Sequence, residues 1–147
     1  YDCYGRIKHK FNEGAITECN VNCSCGDDCP NRVVQKGRKL ALDLVHHGAG
    51  GPGWGVVTPH AIPKKGTFVT MYTGEVISEA TAEARGKKYD ARNQTYLFST
   101  SDYDQDLATS GDTVLDFSID ANYSGNISRF FNHSCDPNVA AYPVFIH

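Results

Sequence analysis

What the 147 residues lack narrows the field first. No apolar run approaches the roughly 20 residues of a membrane-spanning helix, nor does one resemble a signal peptide, so no membrane partner is expected. No His-x3-5-His pair occurs, because His46 and His47 are adjacent, and a two-cysteine, two-histidine finger is excluded. Repeats and low-complexity segments are absent. There is no initiator Met ahead of Tyr1, and the chain is expected to be a piece of something longer, with one domain's worth of material. Lys and Arg are missing between Asn93 and Ser128, where Asp102, Asp104, Asp106, Asp112, Asp116 and Asp120 lie. Residues 1 to 66 carry nine Lys/Arg against six Asp/Glu, net +3, and residues 67 to 147 carry five against eleven, net −6. An acidic surface of that kind repels nucleic-acid phosphates and attracts a basic peptide, the plain alternative being a solvated acidic loop. Direct sequence-specific nucleic-acid binding by this stretch is not expected.

What is present starts with cysteine. Four of the six fall at Cys19, Cys23, Cys25 and Cys29, a Cys-x3-Cys-x-Cys-x3-Cys pattern. Cysteines one residue apart in an extended chain point to opposite sides and rarely bridge one another, so metal ligation fits better than disulfides. A reducing intracellular compartment follows. Four thiolates this close are awkward around one tetrahedral zinc, because Cys23 and Cys25 naturally reach different metals, and a polynuclear cluster sharing sulfurs is expected. Cys3 stands apart and reads as a plain thiol.

The element pattern predicts a mostly β domain with one short helix. Residues 1 to 18 are polar and read as a connector. Pro30-Asn31-Arg32 closes the cysteine stretch, and Val33 and Val34 form the first buried pair. Leu40, Leu42 and Leu44 alternate as in a strand, His46 to Pro52 is a glycine-rich loop, and Trp54 to Thr58 is the next strand. Thr67 to Tyr72 is a further β-prone run with Gly74 marking a turn after it. Ser78 is placed to cap a helix from Glu79 to about Tyr89. Thr95 to Ser99, Val114 to Phe117 and Val139 to Phe145 complete the strand candidates.

The densest chemistry lies at Arg129-Phe130-Phe131-Asn132-His133-Ser134-Cys135, two aromatic rings, a carboxamide, an imidazole and a thiol in seven residues without an apolar period. Alone, it reads equally as a helical turn in which the phenylalanines plug a core and Asn132 caps the end. Gly53-Trp54-Gly55-Val56 and Tyr72-Thr73-Gly74-Glu75 precede it. In order and separation the three together closely resemble the motifs of SET-domain protein-lysine methyltransferases, of the suppressor-of-variegation type. The resemblance implies a SET-domain (β-clip) fold over residues 38–147, preceded by a zinc-binding pre-SET segment over residues 1–37. It implies S-adenosylmethionine as cofactor, held by Gly53, Trp54, Gly55, Tyr96, Arg129, Asn132 and His133, with Tyr72 as an active-site tyrosine. By the same resemblance Cys19, Cys23, Cys25 and Cys29 bind zinc as the second half of a pre-SET cluster. Cys135 binds zinc together with a post-SET cysteine group.

The implied reaction is methyl transfer to a lysine of the histone H3 tail, the ninth-position lysine being favoured, in nuclear heterochromatin. Chromatin is thus the implied partner and location. The chain departs from the family where the substrate strand has an acidic residue after Tyr96: Ser99 and Ser101 stand there, and Asp102, one step later, is the substitute candidate for substrate contact. The upstream pre-SET cysteines, the second active-site tyrosine and the post-SET cysteines are not within the 147 residues. Residues 1 to 147 by themselves are therefore expected to be inactive, with Cys135 a free thiol. Two other readings stay open, a methyltransferase for a non-histone protein and a zinc-stapled chromatin interaction module without catalysis.

Overall fold

In the computed structural model the described residues are 1–8, 15–62, 64–92, 95–101 and 117–146. In chain order the elements are β1 (Ile16–Glu18), a 3-10 turn (Val34–Lys36), β2 (Asp43–His46), β3 (Trp54–Val57), β4 (Glu75–Ser78), α1 (Glu79–Asp90), β5 (Leu97–Ser99), β6 (Phe117–Asp120), a second 3-10 turn (Ile127–Phe130) and β7 (Val144–Ile146). They belong to two units, one made of Tyr1–Met71 with Asn132–His147 and the other of Tyr72–Phe131.

In the first unit β1 pairs in parallel with β7, Ile16 opposite Val144 and Glu18 opposite Ile146. Alternation along β1 buries Ile16 and Glu18 and exposes Thr17. A buried carboxylate must have its lone pairs filled, and Glu18 accepts from the amides of Val33 (2.9 Å) and Val34 (2.7 Å), the Gln35 side chain (2.9 Å) and the Tyr1 hydroxyl (2.9 Å). It thereby fills the free amides at the start of the Val34–Lys36 turn. Residues 1 to 18 are thus more than the connector expected, since their last three residues form a strand. β2 and β3 form an antiparallel hairpin, Asp43 opposite Val57 and His46 opposite Trp54.

The second unit is built on a three-stranded antiparallel sheet in the order β4-β6-β5, with α1 following β4 directly. Ser78 caps α1 as expected, its Oγ accepting from the Thr81 amide at 3.4 Å. Gly74 differs from expectation, because it marks a close approach of two backbones: a Cβ there would lie 2.5 Å from the Asp120 carbonyl oxygen. Thr67 to Tyr72 forms no strand, and no described strand pairs with it. β propensity yields a ladder only where a partner is offered, and β6 offers one from Glu75 onward. Likewise only Val144–Ile146 of the predicted Val139 to Phe145 strand is laddered, the length that three-residue β1 can pair. Residues 114 to 116 of the predicted Val114 strand lie outside the described residues.

Asp120 is the largest fully buried side chain, 1% exposed, on the central strand. Arg85 of α1 reaches it at 2.7 Å and Glu75 of β4 at 2.6 Å, Tyr89 donates to it at 2.9 Å, and the Asn122 amide at 2.9 Å. Burial alone would raise its pKa, but Arg85, the Asn122 amide and the Tyr89 hydroxyl together hold it below the usual carboxylate range. Removing Arg85 strands a buried charge, so Arg85→Ala is expected to destabilise the protein, and by more than loss of the Tyr89 hydroxyl does. Tyr89→Phe should cost about 1.5 kcal/mol; urea unfolding measures both.

Glu18 is also held low: against its burial stand the Val34 amide, the Gln35 side chain, the Val33 amide and the Tyr1 hydroxyl. Two carboxylates with folded pKa values below their unfolded ones bind fewer protons in the folded state. The stability they supply is complete above about pH 5 and is lost as the pH falls through their folded values. Acid titration of Asp120→Asn, followed by far-ultraviolet circular dichroism, should show a shallower loss of stability below pH ~4 than the parent.

Candidate functional site

The cysteine stretch lies in the first unit, between β1 and the Val34–Lys36 turn. Backbone bonds fold it into consecutive turns, Cys23 N–H to the Asn20 carbonyl and Cys29 N–H to that of Gly26. Its return is fixed by Cys19 N–H to the Asn31 carbonyl at 3.0 Å. These turns bring the sulfurs of Cys19, Cys25 and Cys29 within 4.8 Å of one another. Two thiolates on one tetrahedral zinc, each ~2.3 Å from it, sit about 3.8 Å apart, so the trio fits a shared ion after small adjustment. Cys23, the fourth predicted ligand, is set apart: it is exposed, with its sulfur 3.8 Å from the Asn20 side-chain oxygen. Asn31 donates to the Cys19 sulfur at 3.4 Å and Arg32 to that of Cys25 at 3.8 Å.

The same unit holds the β2–β3 hairpin and Asn132 to Cys135. Gly53 has φ 77°, the left-handed region, and its carbonyl accepts from the His47 amide at 2.9 Å to close the loop. Trp54 opens β3 half-exposed, with the His46 ring edge-on at 5.0 Å. Asn132 Nδ2 donates to the Trp54 carbonyl at 3.2 Å. A Cβ at Gly55 would meet both Asn132 Nδ2 and His47 Nε2 at 2.8 Å, so glycine is required for these two polar groups to approach the β3 backbone. His47 is thus a site residue that sequence reasoning missed; its closeness to the glycine-rich loop was the available signal. His133 Nε2 lies 3.6 Å from the Cys135 sulfur, and both residues are exposed.

Tyr72, Tyr96 and Arg129 belong to the second unit. β6 ends at Asp120, and the next amide, Ala121 N–H, donates to the Tyr96 carbonyl at 3.1 Å. The second lone pair of that carbonyl accepts the Tyr72 hydroxyl at 2.8 Å. The Tyr72 ring stacks on Phe98 with centroids 5.0 Å apart. Burial pushes the Tyr72 hydroxyl pKa up, with Arg129 opposing and Asp120 and Tyr96 assisting. The phenol is therefore neutral at neutral pH. Asn126 caps the start of the second 3-10 turn, its side-chain oxygen accepting from the Ser128 amide at 2.9 Å, and the end cap, which the isolated reading gave to Asn132, is Phe131. That turn carries Arg129, whose guanidinium lies over the Tyr96 ring at 4.0 Å and the Phe130 ring at 5.2 Å. Its Nε is buried without a hydrogen-bond acceptor among the described residues. Asp102 lies outside the described residues.

Residues 53–147 match the SET domain family. The chain is 51% identical over 132 residues to the histone-lysine N-methyltransferase Su(var)3-9 of Drosophila pseudoobscura pseudoobscura, covering 90% of this chain and 19% of that protein. It is 44% identical over 143 residues to a histone-lysine N-methyltransferase, H3 lysine-9 specific, of Schizosaccharomyces pombe, covering 97% of this chain and 26% of that one. Among solved structures, Arabidopsis thaliana SUVH6 in complex with SAM superposes with a TM-score of 0.75 at 33% identity, over 99% of this chain and 30% of that one. KRYPTONITE in complex with mCHH DNA, an H3(1-15) peptide and SAH superposes with a TM-score of 0.66 at 30% identity, over 90% of this chain and 22% of that one. The chain spans about a fifth to a quarter of the length of these two curated relatives. By the family match the chain belongs to the SET-domain family.

Proposed function

We propose that this chain is part of a protein-lysine methyltransferase that uses S-adenosylmethionine to methylate the ninth-position lysine of the histone H3 tail, in nuclear heterochromatin. The observation that carries the reading is the Tyr72 hydroxyl fixed on the Tyr96 carbonyl, within a chain whose relatives bear histone-lysine methyltransferase names. Residues 1–37 are assigned to the pre-SET region and 38–147 to the SET domain. The structures of SUVH6 with SAM and of KRYPTONITE with an H3 peptide and SAH support the choice of cofactor and substrate.

The cofactor, when bound, supplies an electrophilic methyl on a sulfonium cation. In the first unit the side-chain-free face of Gly55, flanked by Asn132 and His47, leaves room for close approach of such a group, and in the second the buried Arg129 Nε, which has no acceptor among the described residues, suits the cofactor's carboxylate rather than its sulfonium. Gly53, Trp54 and Gly55 give backbone approach and an aromatic face, Asn132 and His133 give hydrogen bonds, and Tyr96 with Arg129 forms a flat cationic wall. An unperturbed lysine amine titrates near ~10.4, so its deprotonation near neutral pH costs about 4 kcal/mol. Tyr72 is too weak an acid to be anionic and is not the base. Because its own proton is given to Tyr96, its oxygen is left as an acceptor that turns a lysine N–H toward itself and the lone pair away. Asp102 remains the candidate for holding the residue beside the target lysine. Cys19, Cys25 and Cys29 would hold zinc, with Cys23 reaching a neighbouring ion and Cys135 a separate one; the ion's role there is to fold the segment.

In the full-length protein, Asn132→Ala should weaken S-adenosylmethionine binding by about 1–3 kcal/mol, measured by calorimetry. Unchanged affinity would make Asn132 a structural residue of the hairpin. Tyr72→Phe should lower turnover on an H3 tail peptide about tenfold or more, with cofactor affinity close to unchanged. Radiolabel transfer from S-adenosylmethionine tests the whole reading: no label on the peptide, or label retained when its ninth-position lysine is replaced by Arg, would overturn the activity or the target respectively.

A further inference from the structure

Arg32 is only 7% exposed, yet among the described residues no carboxylate lies within ion-pair distance of it. A guanidinium keeps its proton at any accessible pH, so it cannot escape burial by neutralising itself. Asp27 acts on it only through its field, from beyond ion-pair distance, and a buried cation with no paired anion is costly enough that something closer must balance it. Its donors show where. One Nη2 donates to the Asn20 carbonyl and, at 3.8 Å, to the Cys25 sulfur, while its Nε is buried with no acceptor. Its own amide is bonded to the Cys29 carbonyl at 3.2 Å, which leaves the side chain running beside the cysteine trio. The two neighbours in sequence and space follow suit, Asn31 donating to the Cys19 sulfur at 3.4 Å and Lys36 to the Cys29 carbonyl at 3.2 Å.

Three or four thiolates around a divalent ion carry a net negative charge, and N–H donors directed at their sulfurs spread that charge. We propose that Arg32 is the buried counter-ion of the cysteine centre, a positioning residue whose charge sets how tightly the centre holds its metal. The inference rests on the zinc reading above. It goes further in assigning a residue outside the ligand set to metal retention: the guanidinium is balanced by the thiolate–metal group and the group by the guanidinium. Metal binding and the packing of the Cys29 to Lys36 return segment are then one event.

The test uses the full-length protein, with zinc as the probe in competition against a chromophoric chelator. Arg32→Lys keeps the charge, Arg32→Gln keeps a polar donor without it, and Arg32→Met keeps only the apolar length. The neutral variants should lose zinc affinity about tenfold or more, and Arg32→Lys should stay within about threefold of the parent. If the neutral variants fold only in excess zinc, the zinc midpoint of folding by circular dichroism replaces the competition, with the same tenfold criterion. Neutral variants that hold zinc as tightly as the parent overturn the inference, as does an Arg32→Lys loss equal to that of Arg32→Gln, which would mark a packing role. Failure of all three to fold at any zinc concentration also overturns it. A parent protein that takes up no zinc removes the metal reading and this inference with it; a loaded parent with indifferent neutral variants removes this inference alone.

Discussion

The buried carboxylate of Asp120 is the interaction on which the second unit of the chain depends. It sits on the central strand, so whatever fixes it fixes the register of both neighbours: Glu75 stands opposite it on β4 and Leu97 on β5. Arg85 draws α1 down onto that point and carries Glu75 with it, which binds helix and edge strand through one guanidinium. One residue beyond Asp120, the Ala121 amide holds the Tyr96 carbonyl, and that carbonyl holds Tyr72. The orientation of the proposed amine-positioning hydroxyl therefore descends, through one peptide bond and two hydrogen bonds, from a buried carboxylate. Gly74 is the backbone counterpart of this arrangement, since a side chain there would push β4 off the Asp120 carbonyl.

Glu18 does the comparable work in the other unit. Strand β1 and the Val34–Lys36 turn bracket the cysteine stretch in sequence, and the carboxylate joins them by taking amides from Val33 and Val34. Gln35 adds a second tie, donating to Glu18 and to the Cys19 carbonyl at 2.7 Å. The loop bearing the thiols is thus closed by protein hydrogen bonds at its base. In both units the organising group is an anion whose burial cost is offset by several donors, which makes each unit stiff and each sensitive to the loss of one donor.

The pieces of this design that could be read from sequence are those whose chemistry is local. Ser78 announces α1 because a cap needs only its own next turn, and the cysteine spacing announces a turn-rich loop that gathers three sulfurs for the same reason. Of the hairpin from Asp43 to Val57, the glycine-rich turn and the strand from Trp54 were legible, but the alternation of Leu40, Leu42 and Leu44 was no guide to β2, which begins at Asp43 and leaves Leu44 exposed. What could not be read is what depends on distant partners. β1 pairs with β7 from the opposite end of the chain, and three residues leave no periodicity to find. Thr67 to Tyr72 has strand composition, but no described strand pairs with it. Glu18, Arg32, Arg85 and Asp120 are single charges that in sequence are indistinguishable from solvated ones; only burial gives them their roles. The motif from Arg129 to Cys135 was conspicuous by composition, but that it divides after Phe131, giving Arg129 to one unit and Asn132 to the other, was not written in its spacing.

Charge acts on the proposed substrate at two ranges, with opposite sign. Residues 67 to 147 carry a net −6, which over distances of a Debye length, about 8 Å at physiological salt, favours approach of a basic tail. Close to Tyr72 the balance reverses. Arg129 is the nearby cation whose field lowers the Tyr72 hydroxyl's pKa, and it is pinned over the Tyr96 ring, unable to swing out to solvent without losing that face. A fixed positive charge there disfavours an ammonium and favours the neutral amine that displacement needs. Asp120, the nearest counterweight, has its charge committed to Arg85 and Tyr89 and is therefore a weak attractor for a second cation. A protonated lysine would thus be drawn toward this surface by the acidic field and meet, at the tyrosine, the one local charge that pushes its proton off.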